Sequence, residues 1–269
     1  MVEAKIARAE HVSVCLPARN EEATIGAIVQ ALGDNLVDRC PLVDEVLVVD
    51  DGSSDGTARV AADAGATVVA GERVLEECGT GLGKGDALWK SLHAAKGDLL
   101  VFCDADLRDF QTHFVTGLLG PLLTVDDVGF VKGYYRRPAS GSADGGGRVT
   151  ELVARPLLSL LFPHLAGIFQ PLAGEYAGRR EILERVPFVE GYGVDLGLLL
   201  DVSAQFGVSA IAQVDLGSRV HRNRPLAELS PQATEVLRTA LGRAGVLPEG
   251  SGMSERPPIL SVPAYRNRS

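Results

Sequence analysis

The sequence has no run of lysines and arginines, and its formal net charge is −9. Nucleic-acid-binding proteins present a basic patch to the phosphates, so a nucleic-acid partner is not expected. The longest apolar stretch, 157–174, is interrupted by proline, histidine and glutamine, which argues against a membrane-spanning helix. Residues 1–10 mix charged side chains with alanine and lack the apolar core of a signal peptide. We therefore expect neither an integral membrane segment nor a secretory signal.

Cysteine is also scarce, and the four cysteines show no metal-ligand spacing. Cys15 and Cys103 lie inside apolar runs that are typical of buried strands. Free thiols that serve as small core residues are characteristic of a reducing compartment. The cysteine pattern therefore predicts a cytoplasmic protein.

One stretch of the chain joins an apolar strand to two acidic side chains. Leu99–Cys103 is a continuous apolar run, typical of a strand covered on both faces, and Asp104-Ala105-Asp106 follows directly. Residues two apart on an extended segment point to the same side, so both carboxylates are expected to face one spot. Two hard oxygen donors suit a divalent cation, which in turn suits a diphosphate. The alternative interpretation is a solvated turn, since two aspartates at this spacing are common.

Strand-like and helix-like segments alternate through the first half of the chain, 1–125. This alternation predicts an α/β fold: a mostly parallel, Rossmann-like sheet with helices on both faces. Turns at Pro17, Asp50, Gly71 and Asp104 follow the four predicted strands. In an open α/β sheet such turns emerge on one edge, where ligands bind.

The turns carry polar groups that suit a nucleotide. Asn20 and Glu21 can bond a base or a ribose, while Asp50 can accept a hydrogen bond and Ser53 can donate one. Glycines surround Lys84, so the backbone can approach phosphate beside an ammonium group. Each turn alone could be an ordinary connection with a solvated lysine, but together they indicate a nucleotide diphosphate site.

The second half of the same domain, 126–246, is less regular. Glycine, serine and alanine dominate 138–147, which predicts a mobile loop. Helical periodicity runs over 151–162. The last segment, 247–269, is rich in proline, serine and arginine and predicts a loosely ordered tail.

Three motifs follow one another in the first half: Leu16–Glu22, Val48–Thr57 and Asp104–Asp106. Together they resemble the family-2-like glycosyltransferases of the GT-A fold. The resemblance implies a nucleotide-sugar donor and a divalent metal, Mg²⁺ or Mn²⁺. It assigns donor contacts to Pro17, Ala18, Arg19, Asn20, Glu21, Asp50, Ser53, Lys84, Asp104, Ala105 and Asp106.

Further motifs narrow the resemblance: Lys84–Leu88, Gly147–Leu152, Gly174–Gly178, Gly191–Asp195 and His221–Leu226. They resemble the actinobacterial glucosyl-3-phosphoglycerate synthases and the related mannosyl-3-phosphoglycerate synthases. The match implies transfer of a hexose from UDP-glucose, or from a GDP-sugar, to the 2-hydroxyl of 3-phosphoglycerate, with retention at the anomeric carbon. It also suggests a homodimer. The glucosyl enzymes often carry glutamate where this chain has Asp195, which leaves the choice between glucose and mannose open.

The resemblance assigns the acceptor to residues of the second half, namely Gly147, Arg148, Val149, Thr150, Tyr192 and Asn223. The acceptor would carry a carboxylate and a phosphate. The segment 147–150, just before a helix, supplies an arginine, a hydroxyl and helix N-terminal amides for such an anion. The simpler interpretation is a surface arginine beside a helix cap.

The resemblance also implies the metal ligands and the catalytic groups. Asp106, His221 and Asp104 would hold the metal, although a lone histidine is more often structural. Asp195 would lie near the sugar hydroxyls or orient the acceptor, and Lys84 would contact the diphosphate. The catalytic set is thus Asp106, His221, Asp195 and Lys84. No residue stands out as a covalent nucleophile with a partner base, so retention favours attack from the same face.

Three other functions remain open at this point. A polyprenyl-phosphate sugar transferase shares the first motifs, but usually needs a membrane helix or a strongly amphipathic one. A nucleotidyltransferase usually places a G-x-G-T-R-like loop where this chain has Pro17-Ala18-Arg19-Asn20. A non-catalytic nucleotide-sugar sensor would not need both aspartates together with Lys84 and His221.

Overall fold

The computed structural model describes residues 1–136, 147–218, 226–248 and 253–266. The strands in these ranges are β1 (Val12–Ala18), β2 (Glu45–Asp50), β3 (Thr67–Ala70), β4 (Leu99–Phe102), β5 (Phe130–Arg136), β6 (Tyr176–Arg179), β7 (Phe188–Val189), β8 (Ile211–Ser218) and β9 (Glu255–Arg256). The α-helices are α1 (Val2–Ala7), α2 (Ile25–Leu32), α3 (Thr57–Asp63), α4 (Gly83–Ala94), α5 (His113–Thr124), α6 (Arg155–Leu161), α7 (Arg180–Leu183), α8 (Val194–Phe206), α9 (Leu226–Arg243) and α10 (Pro263–Arg266). Within the described ranges, the helices are too short or too polar to span a bilayer.

Seven strands form one sheet in the order β3-β2-β1-β4-β6-β5-β8. The pairs β1–β2, β1–β4, β2–β3 and β5–β8 are parallel, whereas β6 runs antiparallel to both β4 and β5. This confirms the predicted mostly parallel α/β sheet. In this sheet β6 joins the first half of the chain to the second, because it pairs with both β4 and β5.

Both faces of the sheet are buried, which explains the continuous apolar runs of its central strands. Successive residues of β1 point to opposite cores: Val14 and Leu16 pack with α2 and α5, while Cys15 packs with α4 and α8. All three side chains are fully buried. The predicted helices on both faces are therefore confirmed.

The four predicted turns do converge at one edge of the sheet. Strands β3, β2, β1 and β4 are neighbours and run in the same direction, so their carboxyl ends lie side by side. The turns after β2 and β3 are so close that a Cβ on Gly71 would lie 3.2 Å from the Asp50 carbonyl oxygen. The edge therefore brings together turns that are far apart in sequence.

The end of the chain differs from its sequence prediction. Residues 253–266 were expected to belong to a loosely ordered tail, and this is wrong: β9 pairs antiparallel with β7, and Ile259, Val262 and Tyr265 are buried. The local composition could not show this order, because its partners are supplied by distant elements such as α4 and β7. Most of the predicted mobile loop, 138–146, lies outside the described residues.

Candidate active site

The two-aspartate turn lies at the carboxyl end of β4. Asp104 is partly exposed and forms an ion pair with Lys84, with 2.9 Å between Oδ1 and Nζ. A Cβ at position 174 would overlap the Asp104 carboxylate, so Gly174 leaves the space in which that group lies. Asp106 is exposed, and the hydroxyl of Thr24 donates to the Ala105 carbonyl at 2.7 Å. The turn is therefore fixed to the start of α2.

Lys84 pairs with carboxylates from two other parts of the chain, Asp104 and Asp195. Its ammonium also lies 3.1 Å from Asp195 Oδ1, in the first turn of α8. Burial disfavours the charged ammonium, but the carboxylates of Asp104 and Asp195 outweigh that effect and raise the pKa of Lys84 well above its usual value. The structure therefore shows Lys84 as a fixed cation between two carboxylates, while its predicted contact with a diphosphate stays a prediction.

The glycines around Lys84 have a steric role at this site. A Cβ at position 85 would overlap the carbonyl oxygen of Val189, so only glycine lets α4 approach β7 this closely. Gly83 has φ +63°, a backbone conformation that favours glycine. The amide of Gly191 donates to the Leu82 carbonyl at 3.0 Å. These contacts hold the start of α4 against the turn that leads to Asp195.

The first two turns are tied together through Asn20. Its backbone amide donates to Ser53 Oγ at 3.0 Å, and its side-chain oxygen accepts from the amide of Ser54 at 2.8 Å. Nearby, Arg19 lies 3.6 Å from Asp51. Pro17 and Ala18 end β1, paired in register with Val49 and Asp50.

Asp50 retains an unused acceptor at this edge. Its Oδ1 is buried and has no hydrogen-bond partner among the described residues. A buried carboxylate oxygen without a partner is unfavourable, and an N–H or O–H group of a bound molecule would satisfy it. The predicted role of Asp50 as an acceptor for a base or ribose therefore agrees with its surroundings.

The carboxylates at this edge of the sheet have the chemistry of a divalent-metal site. Burial raises the pKa of Glu21, and the nearby carboxylates of Asp106 and Asp104 raise it further, although Thr24 opposes the shift. A site where carboxylates repel one another is one that a divalent cation stabilises, and oxygen donors suit Mg²⁺ or Mn²⁺. Within the described ranges no group of three histidine, cysteine or acidic side chains forms a complete ligand set. His221, the predicted further ligand, lies outside those ranges.

The predicted acceptor segment borders a cavity of about 440 Å³. Gly147 has φ +80° and precedes a helical segment that begins at Arg148, three residues before the predicted start at 151. Thr150 is buried, whereas Arg148 and Val149 are half-buried. The cavity is lined by Tyr134, Tyr135, Arg136, Gly147, Thr150, Glu151, Arg155, Phe169, Gln170 and Asp215.

Of the other two predicted acceptor residues, Tyr192 lies within the described residues and Asn223 lies outside them. Tyr192 is exposed and lies in the short turn Gly191–Gly193, directly before the helix that carries Asp195. Its backbone amide donates to Glu235 at 2.5 Å. Asn223 lies outside the described residues, so its role stays a prediction.

A second lysine lies beneath the site and was not predicted. Lys132 on β5 is buried, and its ammonium donates to the Ala173 carbonyl at 2.7 Å and lies 4.7 Å from the centre of the Tyr176 ring. It also approaches the Asp195 carbonyl at 3.4 Å. Burial lowers the pKa of Lys132 to about 8 despite the nearby Asp195 carboxylate. The one available signal is a lysine inside the otherwise apolar run 128–135.

We expect Lys132 to give the stability of the protein a distinctive pH dependence. Between its native pKa of about 8 and its ordinary value of 10.5, the native state loses a proton that the unfolded state keeps. Stability therefore rises with pH across this window, by about 3 kcal/mol. Urea denaturation from about pH 7 to about pH 10 should show this rise in the wild type and not in Lys132→Met. Parallel pH profiles of the two proteins would contradict the assignment.

Comparison with known proteins places these features in a family. The model of "Glycosyl transferase family 2" matches residues 13–184. Glucosyl-3-phosphoglycerate synthase from Mycolicibacterium smegmatis is 52% identical over 248 residues, which are 91% of this chain and 81% of that protein.

Two solved structures share the whole architecture. One is glucosyl-3-phosphoglycerate synthase from Mycobacterium tuberculosis in complex with Mn²⁺, UDP-glucose and phosphoglyceric acid. It has a TM-score of 0.88 and 44% identity, covering 97% of this chain and 95% of that one. The other is mannosyl-3-phosphoglycerate synthase from Rubrobacter xylanophilus, with a TM-score of 0.90 and 40% identity over 97% of this chain and 93% of that one. The chain therefore belongs to glycosyl transferase family 2 and, within it, to the glucosyl- and mannosyl-3-phosphoglycerate synthases.

Proposed function

We propose that this protein transfers glucose from UDP-glucose to the 2-hydroxyl of 3-phosphoglycerate, with retention at the anomeric carbon. The observation that carries the proposal is the cluster of Lys84, Asp104 and Asp195 at the carboxyl edge of the sheet. It lies in a chain that is 52% identical to a glucosyl-3-phosphoglycerate synthase. A relative of the same fold holds Mn²⁺, UDP-glucose and phosphoglyceric acid together.

The donor half of the site would be formed by the turns after β1, β2 and β4. The unsatisfied Asp50 oxygen would accept from the nucleoside, and the first two turns, joined through Asn20, would hold the base and ribose. A divalent cation held by Asp104 and Asp106, with His221 as the proposed further ligand, would neutralise charge on the diphosphate leaving group. Lys84 would add a second fixed positive charge beside it.

The acceptor half of the site needs fixed cations, because the protein is acidic overall and 3-phosphoglycerate is an anion. Arg148 begins a helical segment and stands two residues from the buried hydroxyl of Thr150. Backbone amides at a helix start attract anions, and a guanidinium binds phosphate or carboxylate with two parallel hydrogen bonds. The adjoining cavity of about 440 Å³ has room for a small acceptor.

Same-face transfer is the mechanism that these residues support best. The acceptor oxygen would form the new bond to the anomeric carbon while the bond from that carbon to the diphosphate oxygen breaks. The hydroxyl proton would pass to the departing diphosphate oxygen, so no protein base is required. Asp195, held by Lys84, would bind sugar hydroxyls or orient the acceptor while this exchange takes place.

Replacing Arg148 with lysine should weaken binding of the acceptor and leave binding of the donor unchanged. Lysine keeps the charge but cannot reproduce the two-pronged contact, so we expect the KM for 3-phosphoglycerate to rise about tenfold, equivalent to a loss of ~1.4 kcal/mol. Hydrolysis of the donor without acceptor should change little, because the diphosphate contacts remain. Steady-state kinetics of Arg148→Lys, with Arg59→Lys on the exposed face of α3 as control, would measure both. An unchanged KM for 3-phosphoglycerate would show that Arg148 does not bind the acceptor.

The sugar preference is tested by a donor panel. UDP-glucose, GDP-glucose and GDP-mannose would each be offered with 3-phosphoglycerate and Mn²⁺, and kcat/KM compared. We expect UDP-glucose to be preferred. A preference for GDP-mannose would instead place the chain with its mannosyl relatives, in line with aspartate rather than glutamate at position 195.

A further inference from the structure

The described end of the chain, 253–266, packs against β7 and α4, and we call it the C-terminal strap. Its strand β9 pairs with β7, with Arg256 opposite Phe188 and Glu255 opposite Val189. The amide of Glu190 donates to the Ser254 carbonyl at 2.9 Å, and Ser254 Oγ donates to Glu190 at 2.6 Å. The strap is therefore attached directly to the segment that leads into the turn before Asp195.

One strap residue, Arg256, reaches the loop on the other side. Its guanidinium donates to the carbonyls of Cys78 and Gly79 at 2.7 and 2.8 Å. It also donates to Asp86 Oδ1 at 2.7 Å and lies 3.4 Å from Glu190. Only 11% of the Arg256 side chain is exposed. Its planar fork thus satisfies two backbone carbonyls and a carboxylate at once, a geometry that few other side chains can provide.

Trp89 also contacts Arg256 and its neighbour Pro257. The Arg256 guanidinium carbon lies 5.2 Å from the centre of the Trp89 ring, within the range of a cation–π contact. The indole N–H of the fully buried Trp89 donates to the Pro257 carbonyl at 2.8 Å. Both contacts fix the strap to α4, the helix whose first turn carries Lys84.

Arg256 contacts two segments of the chain, and each of them leads to one member of the Lys84–Asp195 ion pair. Cys78 and Gly79 lead into Lys84, and Glu190 leads into Asp195. The loop has little spare space there, because a Cβ on Gly81 would overlap the carboxylates of Glu190 and Asp86. A change at Arg256 should therefore move the loop before Lys84 without touching the substrates.

We propose that Arg256 is a positioning residue for the donor site: it locks the loop 78–83 against the 190–195 segment, so that Lys84 is held where the diphosphate binds. The inference rests on the proposed function for the role of Lys84, and extends it to a part of the chain with no predicted role. Rigid support of charged groups matters because small displacements of a binding group cause large losses of affinity and rate.

The test compares Arg256→Gln with Arg266→Gln. Arg266 lies on the same strap but is exposed, and among the described residues it donates to the strap carbonyls of Leu260 and Ser261. In Arg256→Gln the buried Asp86 keeps Lys90 at 2.9 Å, so the fold is expected to survive. We expect the Kd for UDP in the presence of Mn²⁺, measured by calorimetry, and the KM for UDP-glucose to rise roughly tenfold. The KM for 3-phosphoglycerate should rise less than the KM for UDP-glucose, and Arg266→Gln should resemble the wild type.

A folded Arg256→Gln protein with wild-type UDP affinity would overturn the proposal. If that variant lacks a cooperative thermal transition, hydrogen exchange of the wild type decides instead. Binding of UDP with Mn²⁺ should then slow exchange in 79–85 and in 254–257 together, and slowing in 79–85 alone would overturn the proposal. If the wild-type protein binds UDP but transfers no glucose to 3-phosphoglycerate, only the proposed function is contradicted. The comparison of UDP affinities between the wild type and Arg256→Gln still tests the role of Arg256.

Discussion

Asp106→Ala is expected to reduce metal-dependent glucose transfer by about 10²-fold or more while the fold is retained. Asp106 is exposed at the carboxyl end of β4, so its loss leaves no cavity in the core. Its carboxylate is proposed to hold the cation that neutralises the leaving diphosphate, whose negative charge grows as the bond breaks in the transition state. Initial rates over a titration of Mn²⁺ would measure the effect.

Asp63→Ala is the matched control for this substitution. Asp63 is an exposed aspartate on α3, and its partner is Arg59 on the same helix, 3.3 Å away. We expect its transfer rate and metal dependence to be those of the wild type. If Asp106→Ala shows wild-type turnover at saturating Mn²⁺, Asp106 is not a metal ligand. We expect His221→Ala to lose metal-dependent transfer in the same way as Asp106→Ala, and this expectation rests on the resemblance alone.

Lys84→Met should have the second large effect. Removing the ammonium leaves Asp104 and Asp195 without their shared cation, next to the place proposed for a negatively charged diphosphate. We expect UDP affinity to fall roughly tenfold and transfer to fall by about 10²-fold or more. Calorimetry with UDP and steady-state rates would measure the two quantities.

The control for Lys84→Met is Lys96→Met, at an exposed lysine between α4 and β4. Breaking a largely buried ion pair also destabilises a protein, so the thermal transitions of both variants should be recorded. A folded Lys84→Met protein with unchanged UDP affinity would remove Lys84 from the donor site. It would then act only as a structural partner of the two carboxylates.

The parts of the fold that the sequence predicts are those governed by local pattern. β1, β2 and β4 are covered on both faces, so each appears as a largely apolar run that ends in a polar turn. Parallel neighbours then bring the Asn20, Asp50 and Asp104 turns to one edge without further information. The donor side of the candidate site follows from these two rules.

The rest depends on contacts between distant residues. Lys84 and Asp195 are 111 positions apart, and no local pattern indicates that they pair. Lys132 is compatible with an apolar strand only because Ala173 and the Tyr176 ring accept its ammonium. The composition of the strap predicts a loose tail, whereas its order comes from the contacts of Arg256 with α4 and the 78–79 loop.

Some assignments stay predictions. The division into a donor half, 1–125, and an acceptor half, 126–246, is a prediction of this kind. A single sheet contains strands from both halves, so the sheet itself marks no boundary between them. The homodimer is another such prediction. The roles of His221 and Asn223 rest on the resemblance, since both lie outside the described residues.

The most direct test of the account is the identity of the product. The purified protein would be incubated with UDP-glucose and Mn²⁺, with either 3-phosphoglycerate or a polyprenyl phosphate in detergent as acceptor, and the products examined by proton NMR. The account predicts a glucoside that forms only with 3-phosphoglycerate, with the sugar on the 2-hydroxyl and its anomeric configuration retained as α. Glucose transfer to the polyprenyl phosphate alone, or a β-linked product, would contradict it.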